Sequence, residues 1–223
     1  RRASWSRRYG VLLSLFIAPA TSIGWAGVVI VPGWGAPVFE DNFDGDTIDE
    51  SKWHVGNFAN ESNNEEQYYH PDQVLVYDGG LHLWAERDDA WTHGRNYNSG
   101  HVRTWQEWRY GRFEVRADLP YGKGYWPAIW LLPREAAWPV GGEIDIMEQL
   151  GGDKSRTLAY FHWGDTVTGA YGTEGGDIAN PDSTTDFHIY ALRWTEASMD
   201  IFVDEQPVYS LENTEGRPFD DPH

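Results

Sequence analysis

The sequence predicts an all-β fold, and three features carry that prediction. Aromatic residues are dense, with 13 Trp, 12 Tyr and 9 Phe among 223 residues, and such side chains suit a pleated, half-buried surface. Apolar and polar residues alternate in short runs separated by Gly, Pro, Asn and Asp, the pattern of strands joined by turns. No stretch sustains a helical period. Many short strands in one chain of this length imply a sandwich or a barrel. The Trp count exceeds what one core of this size uses, so some rings are expected to line a binding surface.

Taken in order, the chain begins with Arg1, Arg2, Arg7 and Arg8, followed by the apolar run "VLLSLFIAPA" (Val11–Ala20). Small residues come next, with A-x-A spacing at Ala18 and Ala20 and a second cleavage option after Ala26. These are the parts of a secretory signal peptide, and the apolar run is too short for a membrane span. Residues 1–31 are therefore assigned to a signal peptide and N-terminal segment, and 32–223 to a single domain with no linker. The polar loop "NFANESNNEEQYYHPD" (Asn57–Asp72) is long enough to suggest a functional role. "DGGLHLWAE" predicts a turn and then a strand, with Leu81, Leu83 and Ala85 on one face and His82, Trp84 and Glu86 on the other. "GRFEVRADLPYGKG" places Phe113, Val115 and Ala117 inward and Arg112, Glu114 and Arg116 outward. "YWPAIWLLP" predicts a strand carrying Trp126 and Trp130 on one face. The Gly- and Thr-rich stretch Gly164–Ser183 is expected to be a surface loop. "DFHIYALRWT" and "MDIFVDEQPVYS" predict further strands with a turn near Asp204–Gln206.

Composition excludes several functions. Net charge is −18, and the four N-terminal Arg stand opposite no acid, which leaves −22 on the remainder. Such a surface repels phosphate backbones, so no nucleic-acid partner is expected. The absence of Cys excludes disulfides, thiolate metal sites and Cys nucleophiles.

The informative stretch is "GGEIDIMEQLG" (Gly141–Gly151). Ile144 and Ile146 alternate with Glu143 and Asp145, as in a half-buried strand. Glu148 then falls on the isoleucine face, where an unpaired carboxylate costs several kcal/mol. A β-bulge near Ile146–Met147 removes the conflict by resetting the alternation, and bulges recur beside active sites. Three carboxylates then share one face. Mutual repulsion raises at least one pKa, and glycoside hydrolysis needs such a set: one ionised carboxylate and one protonated carboxyl. Closeness on one strand favours a retaining mechanism, which requires a separation of about 5–5.5 Å. Alternating acids also suit a solvated sheet face, and clustered oxygens also suit calcium. Trp126 and Trp130 beside the acids tip the balance towards a sugar cleft, because pyranose C–H faces pack on flat rings.

With these flanks the chain resembles glycoside hydrolase family sixteen. The resemblance rests on "GEIDIMEQLG", "WPAIWLLP", "YGRFEVRADLP", "NNEEQYY" and "FHIYALRWT", runs from Phe39 to the C-terminus, and is nearest to bacterial endo-1,3-β-glucanases (laminarinases). It implies a concanavalin A-like jelly-roll β-sandwich with a concave cleft. It matches Glu143 to the nucleophile, Glu148 to the acid/base and Asp145 to the residue that tunes the nucleophile. It matches Trp126, Trp130, Trp138, His162, Asn64 and Arg103 to substrate-binding positions. The residue inserted before Glu148 resembles the bulged branch of laminarinases, agarases and carrageenases, in contrast to the regular E-x-D-x-E of lichenases. The implied partner is a β-glucan, with agar, carrageenan or mixed-linkage glucan as alternatives, and a non-catalytic β-glucan-binding protein as the alternative outside enzymes. No cofactor is implied for catalysis, though many members hold a structural calcium. "EDNFDGD" puts Asn42 where many members have an acid, and the chain stops at "RPFDDPH" where similar enzymes add a further strand. A secreted monomer, extracellular or periplasmic and free of the membrane after signal cleavage, completes the expectation.

Overall fold

The computed structural model describes residues 10–18, 37–153, 155–179, 186–220 and 223, with only the backbone of 10–18. Seventeen strands lie among them, together with one 3₁₀ turn at Pro71–Gln73. No helix among them is long and apolar enough to cross a membrane. Backbone contacts divide the chain into two compact units: Asn42–Gln106 with the residues up to Leu13, and Glu107–His223 with Ser14–Asp41.

Strand β1 (Gly10–Ala18) contributes to both units. Its second half pairs with β2 (Phe39–Asp41), through Leu15 with Asp41 and Ile17 with Phe39. Part of the run assigned to a signal peptide thus forms a paired strand, whereas Arg1–Arg8, Ala20 and Ala26 lie outside the described residues.

The first unit holds β3 (Trp53–Val55), β4 (Phe58–Ala59), β5 (Gln67–Tyr69), β6 (Val74–Tyr77), β7 (Gly80–Arg87), β8 (Tyr97–Ser99) and β9 (Val102–Thr104). β6 and β7 form a hairpin closed by Asp78 and Gly79, whose φ values of 50° and 71° are those of a type I′ turn. The N-terminal half of β1 pairs along β7, through Gly10 with Trp84 and Leu13 with Leu81. Leu81 is fully buried, while Leu83 and Ala85 are half-buried like His82, Trp84 and Glu86, so the predicted division of faces holds only at the start of β7. The polar Asn57–Asp72 stretch is not a structureless loop, because β4 and β5 pair within it.

The second unit is two packed sheets. One runs β10 (Gly111–Asp118), β15 (His188–Trp194), β16 (Ser198–Val203) and β17 (Gln206–Glu212). The other runs β11 (Ala128–Leu131), β12 (Glu143–Gln149), β13 (Arg156–Gly164) and β14 (Tyr171–Ala179). β12 packs against β15 and β14 against β17. Between them lie Phe113, Val115, Ile144, Ile146, Met147, Phe161, Tyr190, Leu192 and Ile201, all buried. Trp194 is fully buried and donates its indole N–H to the Phe219 carbonyl at 3.0 Å, which satisfies the one polar atom the ring brings inside.

Two expectations change here. Arg112 and Glu114 alternate with the core residues as predicted, yet both are buried. They pair with each other, and Arg112 also donates to Glu205 at 2.7 Å. Glu205 occupies the β16–β17 turn with Asp204, at φ 65° and 49°. The expected Gly164–Ser183 loop contains strand β14, paired along the whole of β13. Its glycines mislead a propensity reading. A Cβ on Gly172 would collide with the Trp163 ring, and one on Gly175 with the Ala159 carbonyl and Tyr160, so they allow β13's large rings to lie flat across β14.

Candidate active site

The bulge lies where the failed alternation places it. Along β11, Ile129 faces Met147 and Trp130 faces Asp145, which leaves Ile146 unmatched. Along β13, Asp145 faces Tyr160 and Glu148 faces Leu158, so Ile146 and Met147 together span the one intervening position. Ile146 and Met147 both turn into the core, at 1% and 0% exposure. Glu148 therefore joins Glu143 and Asp145 on the opposite face.

Each acid has a different partner. The Trp138 indole N–H donates to Glu143 Oε2 at 2.6 Å, and the Trp126 indole N–H donates to Glu148 Oε1 at 2.9 Å. Asp145, only 5% exposed, faces His162 with Nε2 3.3 Å from Oδ2. The next strand sets this up, since β13 places His162 directly across from Glu143.

These surroundings raise all three carboxyl pKa values. Burial, and then the Asp145 charge, lift Glu143 above the ordinary glutamate range against the pull of the Trp138 hydrogen bond. Burial pushes Asp145 up to about 6, with the His162 hydrogen bond opposing and Glu148 adding to the rise. Burial likewise lifts Glu148, against its Trp126 hydrogen bond, and the Glu143 charge adds to the lift. The hydrogen bond to Asp145 is the main cause raising His162, which burial alone would lower. Asp145 and His162 thus hold a proton between them, and their titrations belong to the pair. A poorly solvated face with one carboxylate able to attack and one carboxyl able to keep a proton is the arrangement acetal hydrolysis requires.

The sequence profile of Glycosyl hydrolases family 16 matches residues 61–222. The chain belongs to this family. The family 16 chain is 37% identical over 226 residues to a beta-glucanase of Rhodothermus marinus, covering 93% of itself and 75% of that protein. Its structure is similar to that of the laminarinase from Rhodothermus marinus, with a TM-score of 0.72 and 36% identity over 83% of this chain and 81% of that one. It is also similar to a LamA variant of Z. galactanivorans in complex with laminaritriose and laminaritetraose, with a TM-score of 0.73 and 33% identity over 83% and 84% of the two chains. The family 16 protein is a glycoside hydrolase with the expected jelly-roll β-sandwich.

The predicted site residues divide by location. Glu143, Asp145, Glu148, Trp126, Trp138 and His162 are connected by the contacts above. Trp126 and Trp130 are 48% and 42% exposed, so both rings are accessible to solvent. Trp126 does not sit within a strand as predicted, because β11 begins only at Ala128, after Pro127. Asn64 and Arg103 belong to the first unit. Asn64 is exposed in a turn at φ 55°, and Arg103 is exposed in β9 opposite His54.

Sequence reasoning missed Tyr160 and Tyr171. The Tyr171 hydroxyl lies 2.7 Å from His162 Nδ1, and its ring lies 5.6 Å from that of Trp138. Tyr160 stacks on the other side of His162, with ring centroids 5.7 Å apart. The alternation Tyr171, Thr173, Gly175 was the available signal, hidden by the glycines.

A structural calcium takes oxygen ligands only. Among the described residues, one trio of His, Asp and Glu side chains converges: Glu143, Asp145 and His162, with ligand atoms within 4.8 Å of one another. It contains an imidazole and lies far along the chain from the "EDNFDGD" segment, so it does not fit the calcium that the resemblance implies.

Proposed function

We propose that this family 16 enzyme cleaves internal β-1,3 linkages of laminarin-like β-glucans with retention of anomeric configuration. The observation that carries the reading is the bulge that brings Glu148 onto the face of Glu143 and Asp145. The names of the relatives supply the substrate class.

In the first step a Glu143 carboxylate oxygen attacks the anomeric carbon. Glu148 gives its proton to the departing glycosidic oxygen, so the C–O bond breaks as a glycosyl ester forms. In the second step Glu148, now ionised, takes a proton from water, which attacks the same carbon and releases Glu143. Asp145 faces His162 between them, and its partial protonation limits the negative charge beside Glu143. Trp126, Trp130 and Trp138 offer ring faces and indole N–H groups to the sugar chain. All three acids are present, which opposes the reading as a non-catalytic glucan-binding protein.

Reducing-end release from laminarin, lichenan, agarose and carrageenan tests the reading. Laminarin cleavage that disappears in Glu143→Gln, with the β-anomer formed first by NMR, is the expected result. Activity only on agarose or carrageenan would overturn the substrate, and an α-anomer formed first would overturn the mechanism.

Secretion is part of the same proposal and rests on the Arg-rich start and the apolar run after it, and a monomer is proposed with it. N-terminal sequencing and light scattering of exported protein test it. A mature chain that keeps Gly10–Ala18, or a dimer, would count against it.

A further inference from the structure

We propose that Tyr171 is a positioning residue: its hydroxyl, 2.7 Å from His162 Nδ1, holds the imidazole so that Nε2–H stays on Asp145 as the pair takes up and gives back a proton. The inference rests on the hydrolytic reading above and extends it to a strand the acids do not occupy.

The chemistry of the three groups leads there. An ionised carboxylate only accepts hydrogen bonds, so His162 Nε2 must carry a proton when it faces charged Asp145. Neutral imidazole then has a bare Nδ1, which needs a donor; imidazolium has an Nδ1–H, which needs an acceptor. A phenol hydroxyl can do either by rotating. Tyr171 thus satisfies Nδ1 in both protonation states without any movement of the ring. Without the hydroxyl, Asp145 alone favours the Nε2–H tautomer, so that preference weakens and the Nδ1–H form, which lacks the bond to Asp145, gains population.

The surrounding rings fix this geometry. His162 stands between two nearly parallel rings, Tyr171 at 6.1 Å and 9° and Tyr160 at 5.7 Å and 19°. Tyr171 also packs against Trp138, the residue that donates to Glu143. One side chain on β14 therefore touches the partners of both Asp145 and Glu143. Register explains the reach: His162 faces Thr173 and Gly164 faces Tyr171, which sets Tyr171 diagonally beside His162 on the same face.

The test is Tyr171→Phe, which keeps the ring and its packing and removes one oxygen. Steady-state hydrolysis of a laminari-oligosaccharide should show kcat down about tenfold, the effect of one lost hydrogen bond, with KM within about twofold. Imidazole nitrogen NMR of His162, at a pH where it is neutral, should show Nε2–H in the parent protein and a shift towards Nδ1–H in the variant. Two results would overturn the proposal: unchanged kcat with an unchanged tautomer, or a raised KM with unchanged kcat, which would make Tyr171 a sugar contact. The NMR measurement needs no substrate. If the parent protein cleaves no glucan, the functional reading fails while the tautomer shift still decides the role of Tyr171.

Discussion

Asp145 and Asp200 are almost equally hidden, at 5% and 8% exposure, and lie on interior strands of the two sheets of the second unit. Their acidities move in opposite directions. Burial drives Asp145 up to about 6, and only an imidazole opposes it. Burial acts on Asp200 too, but hydrogen bonds from Ser210, Arg193 and Ser198 outweigh it and hold the group below the ordinary aspartate range. Ser210 donates to Asp200 at 2.6 Å, and Arg193 donates at 2.8 Å and 3.0 Å. Low exposure alone therefore does not set a carboxylate's acidity. What matters is whether the fold surrounds it with donors and a cation, as at Asp200, or with other acids and a single titratable ring, as at Asp145.

The contrast breaks most sharply through activity. Asp145→Asn should lower kcat by about 10²-fold, the scale of a lost acid–base partner, while thermal melting at neutral pH holds or rises because a poorly solvated charge is gone. A large fall in melting temperature would place Asp145 with the structural acids. Asp200→Asn should do the reverse: kcat of the remaining folded protein stays unchanged, and chemical denaturation shows about 2 kcal/mol less stability, the value of charged hydrogen bonds at a buried site.

The two indoles sharpen the comparison within the acid face. Trp138→Phe removes a bond that lowers the Glu143 pKa, so the acidic limb of the pH–rate profile should move upward and narrow the bell. Trp126→Phe removes the corresponding bond to Glu148, so the alkaline limb should move upward and widen it. Losses of kcat should stay near three- to tenfold, about one hydrogen bond each. Both limbs moving together would mean that the assignment of nucleophile and acid is wrong.

The smallest effect is the pH dependence of stability. Asp145 binds its proton more tightly folded than unfolded, so it stabilises the fold in acid, and that contribution is lost as pH rises from its ordinary value towards about 6. Asp200 has the opposite sign: its contribution is present above the ordinary aspartate pKa and is lost as pH falls through its lowered value. Melting curves against pH should lose the slope between the ordinary aspartate pKa and about 6 in Asp145→Asn, and the slope below the ordinary value in Asp200→Asn.

Much of this site was legible in the sequence because one residue broke a rule. Glu148 sat on the wrong parity, and only a bulge at Ile146–Met147 could reconcile it with a buried strand; the register confirms that bulge. The fold class followed from composition and alternation. What stayed hidden depended on pairing across the sheet. Strand β14 reads as a loop because glycine lacks strand propensity, and its need for glycine arises from Trp163 and Tyr160 on the neighbouring strand. Arg112 and Glu114 read as solvent-facing because alternation assigns a face without saying what covers it, and the cover comes from Glu205 in a distant turn. The indole donors to Glu143 and Glu148 lie five and 22 residues from their acceptors, and no spacing rule links them.

The unmatched Ile146 makes β12 tolerant of a one-residue change in length. Ordinarily, deleting one residue from a strand turns every later side chain over. Here, deleting Met147 would leave E-I-D-I-E, an unbroken alternation in which the last acid still looks the same way as the first two. Because Ile146 and Met147 already share the one position opposite Ala159, the deletion would remove the bulge and leave the outer acids spanning the same four steps of β13. The distance between two carboxyl groups decides whether a water molecule fits between them and so which stereochemistry results. A one-codon deletion would thus keep both that gap and every reactive group, and the product should be the same anomer as that of the parent.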